Sequence, residues 1–199
     1  MPNEPRTTVY GDYFFLVRSD LFRHLGYFSL SGLIRQILFG EGAAYSFWMR
    51  TCTYLRSNRM LKWTLFPFAK IMYRSSCIRF GVWIPYSTRI GPGFHIAHAG
   101  CIFINEMALI GCNCTISQGV TLGVRNRGNK QGAPMLGDNV YVGPGAKVIG
   151  AVHIGNNVAI GANAVVVEDI PENAVVVGIP AKVISFRGSM EYVNNTNYQ

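Results

Sequence analysis

The sequence predicts a mainly β fold, a three-sided parallel β-helix of six-residue repeats that carries an α-helical N-terminal extension. Two observations predict it: aliphatic residues recur every six positions, and glycine follows many of them. The aliphatic positions form three phased blocks, Ile84, Ile90, Ile96, then Ile104, Ile110, Ile116, Leu122, then Leu136, Val142, Val148, Ile154, Ile160, Val166. Glycine comes directly after Ile90, Ile110, Leu122, Leu136, Val142, Ile154 and Ile160. This period suits a short strand followed by a tight bend, with the aliphatic side chain inward and the glycine relieving crowding where the chain turns. Three such steps complete one coil, and each coil buries its aliphatic residues on those of its neighbours. A sandwich of alternating strands would need period two over longer runs and hairpin turns such as Asn-Gly, which this sequence lacks.

The repeat divides the chain into a helical extension over 1–80, the β-helix over 81–187 and an Asn-rich tail over 188–199, expected to be flexible. Two breaks in phase mark where the coil is interrupted, and interruptions of a solenoid are where function tends to sit. From Ile96 to Ile104 the step is eight residues, and the excess falls in Ala97-His98-Ala99-Gly100. From Leu122 to Leu136 it is fourteen, so about eight residues leave the coil as a loop, Val124 to Met135, with Arg125, Arg127 and Lys130.

Composition bounds the rest. A chain of 199 residues, 49% of them apolar, suffices for one core and an appendage. Residues 1–83 hold eleven Lys or Arg against four acids, and residues 84–199 hold seven against six, so the basic character is N-terminal. Between Leu33 and Tyr73, Phe39, Tyr45, Phe47, Trp48, Trp63, Phe66 and Phe68 interleave with Arg35, Arg50, Arg56, Arg59, Lys62 and Lys70. Two readings fit: aromatics packed on the β-helix with solvated arginines, or a peripheral contact with an anionic membrane face. The most apolar run, Trp63 to Tyr73, is too short to span a bilayer and is broken by Pro67 and Lys70. No nucleic-acid motif accompanies the charge. Met1 to Asp12 lacks an apolar run of signal-peptide length, so a cytoplasmic protein is expected, with the inner membrane face as its second location. Five cysteines without a CxxC pair suggest neither a disulfide framework nor a zinc cluster.

The segment Ile90-Gly91-Pro92-Gly93-Phe94-His95-Ile96-Ala97-His98-Ala99-Gly100, then Val120-Thr121-Leu122-Gly123, then Val177-Gly178-Ile179-Pro180-Ala181-Lys182 resembles the hexapeptide-repeat acyltransferases. The resemblance covers Ile84 to Lys182 and is to the serine acetyltransferase branch and its relatives among exopolysaccharide, colanic-acid-type O-acetyltransferases. It implies a left-handed winding, acetyl-CoA as co-substrate, and a homotrimer with sites between neighbouring prisms. His98 is then the general base: a hydroxyl is too weakly acidic to attack a thioester unaided, and a neutral imidazole takes its proton near pH 7. His95, three residues upstream, does not share its orientation if the strand alternates. Gly123, Gly143, Gly145, Ala146, Gly161 and Ala162 are expected to let a pantetheine arm pass and to offer it backbone amides. Lys182, with Arg125, Arg127 or Lys130, is expected to meet the phosphates. Corner geometry alone is the bland explanation of the glycines.

The chain departs from the serine enzymes on the acceptor side: Trp83 and Ala97 stand where they carry aspartates, and Ala133 where they carry a second histidine. Free serine presents an ammonium and a carboxylate that need charged partners, so a hydroxyl of a sugar or polysaccharide precursor is the leading acceptor and serine, for cysteine biosynthesis, the alternative. Glu106 is the candidate to orient His98 or the acceptor. A γ-class carbonic anhydrase-like protein would need three clustered histidines, of which only His95 and His98 are close in sequence, so no metal is expected. A non-catalytic scaffold is the remaining reading.

Overall fold

The structure, a computed structural model, describes residues 9–198, with side chains from Tyr13 onward; the signal-peptide reading of Met1 to Asp12 lies outside those side chains. Helices α1 (Val9–Leu25), α2 (Leu30–Phe39), α3 (Gly42–Ser57), α4 (Leu61–Thr64) and α5 (Phe66–Phe80) lead into five stacked coils. The first coil is β1 (Val82–Trp83), β2 (Arg89–Ile90) and β3 (His95–Ile96); the second is β4 (Ile102–Ile104), β5 (Leu109–Ile110) and β6 (Thr115–Ile116). The third is β7 (Thr121–Gly123), β8 (Met135–Leu136) and β9 (Tyr141–Val142), and the fourth is β10 (Lys147–Ile149), β11 (His153–Ile154) and β12 (Ala159–Ile160). The fifth has β13 (Val165–Val166), a single bridge from Ile170 to Ile154, and β14 (Val175–Val177), on which β15 (Lys182–Ser185) folds back antiparallel.

Each of the first four coils gives one strand to each of three sheets, and the fifth gives strands to the first and third only: β1-β4-β7-β10-β13, β2-β5-β8-β11, and β3-β6-β9-β12-β14-β15. The ladders measure the coils. Trp83 pairs with Phe103 and Phe103 with Thr121, twenty and eighteen residues on; Thr121 pairs with Lys147 and Lys147 with Val165, twenty-six and eighteen. The two long coils are those with the broken phase, and both surpluses are expelled at corners because the inward aliphatics hold the strands in register. Ile84, Ile96, Ile116, Leu122, Val142, Ile154 and Ile160 are buried in one continuous core. The corner between the second and third sheets is turned by Asn113, Asn139, Asn157 and Asn173 at φ 56 to 60°. Their side chains form a ladder, each amide nitrogen donating to the next Oδ1 at 3.0, 3.0 and 3.1 Å. Asn tolerates this left-handed conformation because its amide bonds locally.

The helices close the first coil. Gly81 ends α5 at φ 62°, its amide donating to Cys77 O, and sends the chain into β1. On α3, Tyr45 is fully buried, its Oη 2.8 Å from Ile84 O while accepting from Ile84 N at 2.9 Å. Burial drives its pKa well above the usual phenol range, and it stays neutral. Asp20 of α1 and Arg50 of α3 form a buried pair at 3.0 Å. Arg50 also donates to Ile90 O and Gly91 O, both at 2.7 Å, and Asp20 accepts from Phe94 N at 2.8 Å and Ser46 Oγ at 2.5 Å. Backbone groups that lack a coil above them thus gain charged partners, which is what makes the buried pair tolerable.

The tail differs from the flexible segment expected. Val193 and Tyr198 are buried, Tyr192 stacks on Tyr141 at 4.7 Å, and Tyr198 Oη donates to Asn113 Oδ1 at 2.7 Å. Asn195 Nδ2 donates to Arg23 O at 3.3 Å. Polar composition suggested disorder, but the aromatics had a surface to cover along the asparagine ladder. Among the described residues no helix is long and apolar enough to cross a membrane.

Ile160 lies with no exposed surface and pairs with both Val142 and Val176. Ile160→Asp is expected to cost roughly 4 kcal/mol or more, lowering Tm by about 10 °C. Met107→Asp, at an exposed turn, is expected to leave Tm nearly unchanged; equal thermal unfolding curves for the two variants would contradict the inward stack.

Candidate functional site

The surplus of the first coil emerges where the third sheet turns into the first. Ile96 remains in the core, Ala99 packs against it, and His98 between them is exposed. Gly100 at φ 119° and Cys101 at φ 51° bring the chain back to β4. A Cβ on Gly100 would meet nothing within 4 Å, so the bulge faces open space. Below it the same corner repeats in every coil: Gly119 N donates to Gly100 O, Gly145 N to Gln118 O and Asn163 N to Pro144 O, each at 2.8 Å. His98, Gly143, Gly145, Gly161 and Ala162 therefore share one edge of the prism, with Lys182 in the strand that folds back at its lower end.

The other predicted residues stand on the next edge, between the first and second sheets. Glu106 is in the turn after β4, one strand away from His98 in the same chain, and accepts from Ser87 Oγ at 3.5 Å. Gly123 ends β7 at this edge. The loop that follows is a small hairpin, Arg125 and Gly132 exchanging both backbone bonds at 3.0 Å. Arg125 and Arg127 are exposed on it. Lys130 is engaged, at 2.7 Å from Asp169 and 4.0 Å from Glu168, and its hydrogen bond holds the Asp169 carboxyl below the usual range.

Two expectations are corrected. Ala146 is fully buried in the core rather than on the groove. The amides of Gly143, Gly145, Ala146 and Gly161 donate to Ile160 O, Gln118 O, Gly143 O and Val176 O, so these four offer no N–H to a ligand. What Gly143 and Gly161 contribute is smallness: a Cβ would lie 2.8 Å from Ile160 O in the first and 2.7 Å from Val177 Cγ1 in the second. Stacking of the coils accounts for both glycines.

Two residues at the first edge were missed. Gln118 is exposed at the corner directly beneath the bulge, and Lys147 Nζ donates to Gly119 O on the same corner. Both sit inside unbroken repeats, where the signal used was a break; a polar side chain one coil below His98 was the available clue.

His95 points outward from β3 and packs on His24 of α1, ring centroids 4.4 Å apart. His24 Nε2 is buried without a hydrogen-bond partner. Burial first, and then the neighbouring Arg23, lower the His24 pKa to about 4; burial, His24, Arg23 and His98 lower that of His95 to about 3. Both imidazoles are neutral near pH 7. Among the described residues no three His, Cys, Asp or Glu side chains converge to hold a metal ion.

Residues 133–167 match the family model for the bacterial transferase hexapeptide, six repeats. Over 104 residues, 52% of this chain and 43% of the relative, the sequence is 47% identical to a serine acetyltransferase of Synechococcus elongatus. The chain spans about half the length of the sequence relatives it matches. A serine acetyltransferase of Brucella abortus in complex with coenzyme A superposes with TM-score 0.71 at 26% identity, over 88% of this chain and 69% of that one. The Neisseria gonorrhoeae serine acetyltransferase in complex with serine superposes with TM-score 0.69 at 28% identity, over 88% and 70%.

The histidine pair gives stability a pH dependence of fixed sign. Both folded pKa values lie below the unfolded value near 6.5, so the stability they permit is complete above that pH and is lost as pH falls toward 4. Between pH 7 and pH 5 the loss is expected to be roughly 1–2 kcal/mol per histidine. Thermal unfolding at the two pH values checks it: a His24→Gln/His95→Gln variant should lose less on acidification than the parent, and equal losses would refute the assignment.

Proposed function

We propose that this chain, a hexapeptide-repeat prism of left-handed winding, moves an acetyl group from acetyl-CoA to a hydroxyl, with His98 as general base. One observation carries the reading: an exposed imidazole on a two-residue bulge heads an edge of small residues, in a prism similar to serine acetyltransferases, one of them bound to coenzyme A. His98 takes the hydroxyl proton as the oxygen attacks the thioester carbonyl carbon. The tetrahedral intermediate collapses, the C–S bond breaks, and the imidazolium returns its proton to the leaving sulfur. The products are an acetyl ester and free CoA. The small residues of the first edge are proposed to let the pantetheine arm pass, and Lys182, Arg125 and Arg127 are the cations proposed for the phosphates.

The division of the residues between two edges supports a homotrimer. With the second edge of one prism against the first edge of the next, Glu106, Gly123 and the Arg125 hairpin of one copy would approach His98 and Gly143 to Ala162 of its neighbour.

For the acceptor, the relatives support serine better than a sugar, since those named above are serine acetyltransferases. A glycan hydroxyl, the exopolysaccharide-type reading, keeps one specific observation in its favour. Trp83, Ala97 and Ala133 carry no charge at the positions where the resemblance to serine acetyltransferases expects aspartates and a second histidine, and the ammonium and carboxylate of serine want charged partners.

Release of free thiol from acetyl-CoA, measured with serine and with a panel of sugars, decides the acceptor. His98→Ala is expected to lower kcat by about 10²- to 10⁴-fold with an unchanged melting curve, because the side chain is exposed. Full turnover by that variant would sink the mechanism, and turnover with sugars but not serine would overturn the serine reading.

A further inference from the structure

The chain has no acidic residue between Glu41 and Glu106, a stretch that holds eight Lys or Arg. Six of them, Arg56, Arg59, Lys62, Lys70, Arg74 and Arg79, are exposed on and around α3 to α5. The same short region leaves large apolar side chains uncovered: Met60 and Trp63 are 82% and 79% exposed, Leu65 and Phe68 52% and 59%, and Ile71 and Ile78 both 67%.

These are two faces of one element. The inward face of α5 carries Ala69, Tyr73, Ser76 and Cys77, with Ala69, Ser76 and Cys77 buried. Positions 68, 71, 75 and 78 follow the helical period on the outward face, so Phe68, Ile71 and Ile78 line up as a stripe. Met60 and Trp63 extend it past the short α4. An ordinary solvated helix puts charge there and keeps such residues for its inner face.

We infer that α4 and α5 form a docking surface for an anionic lipid bilayer, on which Met60, Trp63, Phe68, Ile71 and Ile78 enter the interface while the six cations meet the headgroups. Charge selects the occupant. A second copy of this chain seated on the stripe would bring the same cations against these, with no acid on the region to compensate. An anionic surface satisfies both the apolar and the charged side chains, and long basic side chains can bury their stems with their heads in water. The helices lie on such a surface without crossing it. The inference is independent of the acetyl-transfer reading; taken with it, the enzyme would work on acceptors held at a membrane face.

The full chain is to be sedimented with phosphatidylglycerol–phosphatidylcholine vesicles and with phosphatidylcholine vesicles alone, at low and high salt. Binding is expected with the anionic vesicles only and should weaken as salt rises. Phe68→Ser/Ile71→Ser and Lys62→Glu/Lys70→Glu are each expected to lower the bound fraction at least tenfold while leaving the thermal unfolding curve and thiol release with a soluble acceptor unchanged. No sedimentation of the parent, or binding by both variants equal to the parent, overturns the proposal. So does loss of the native oligomer by Phe68→Ser/Ile71→Ser in light scattering, which would make a second copy the occupant of the stripe.

Discussion

The prism is subject to one constraint: an aliphatic side chain must point inward every sixth residue, at the same height as its counterparts on two other sheets. Once Ile96 and Ile104 are both in the core, the chain between them has two residues more than a corner holds. They can only go outward. The same holds on a larger scale between Leu122 and Leu136, where the surplus forms the Arg125 hairpin. The bulge that exposes His98 is therefore a consequence of core packing, and its position is as secure as the registers on either side of it.

A stacked coil has ends, and the upper end here is closed by charge and phenol rather than by another coil. Asp20 and Arg50 neutralise each other while binding Phe94 N, Ile90 O and Gly91 O. Tyr45 does the same for Ile84. The pairing ties α1 and α3 to the strand that leads to His98, and His24 against His95 adds a neutral contact on that strand. The helices thus bear directly on the coil that carries the proposed base, while their outward stripe faces away from the prism.

The chemistry assigned to the edge has to work within what the backbone leaves over. Four of the small residues expected to donate amides to a thioester spend them on the ladder. Under the proposed function, polar recognition would fall to side chains on that edge: His98 and Gln118 at the top, Lys182 at the bottom. The remaining cations and Glu106 belong to the adjacent corner. A site assembled from two corners of one prism would require them to face each other, which a triangular section forbids; two copies side by side have no such difficulty.

The repeat, its two interruptions and the histidine on the first of them were all legible in the sequence, because hydrophobic period is a local property that translates directly into which residues face inward. Corner asparagines were not, since the left-handed turns they make are open to glycine as well, and a local pattern does not mark which corner takes which. The docking of the tail, the burial of Ala146, the engagement of Lys130 with Asp169 and the pairing of His24 with His95 depend on residues far apart in the chain meeting. So does the separation of Glu106 from His98. By itself the sequence determined that the chain coils and where it must bulge. Only the tertiary structure decided which side chains share an edge, because three strands of a coil point in three directions and no local pattern records which corner a loop will turn.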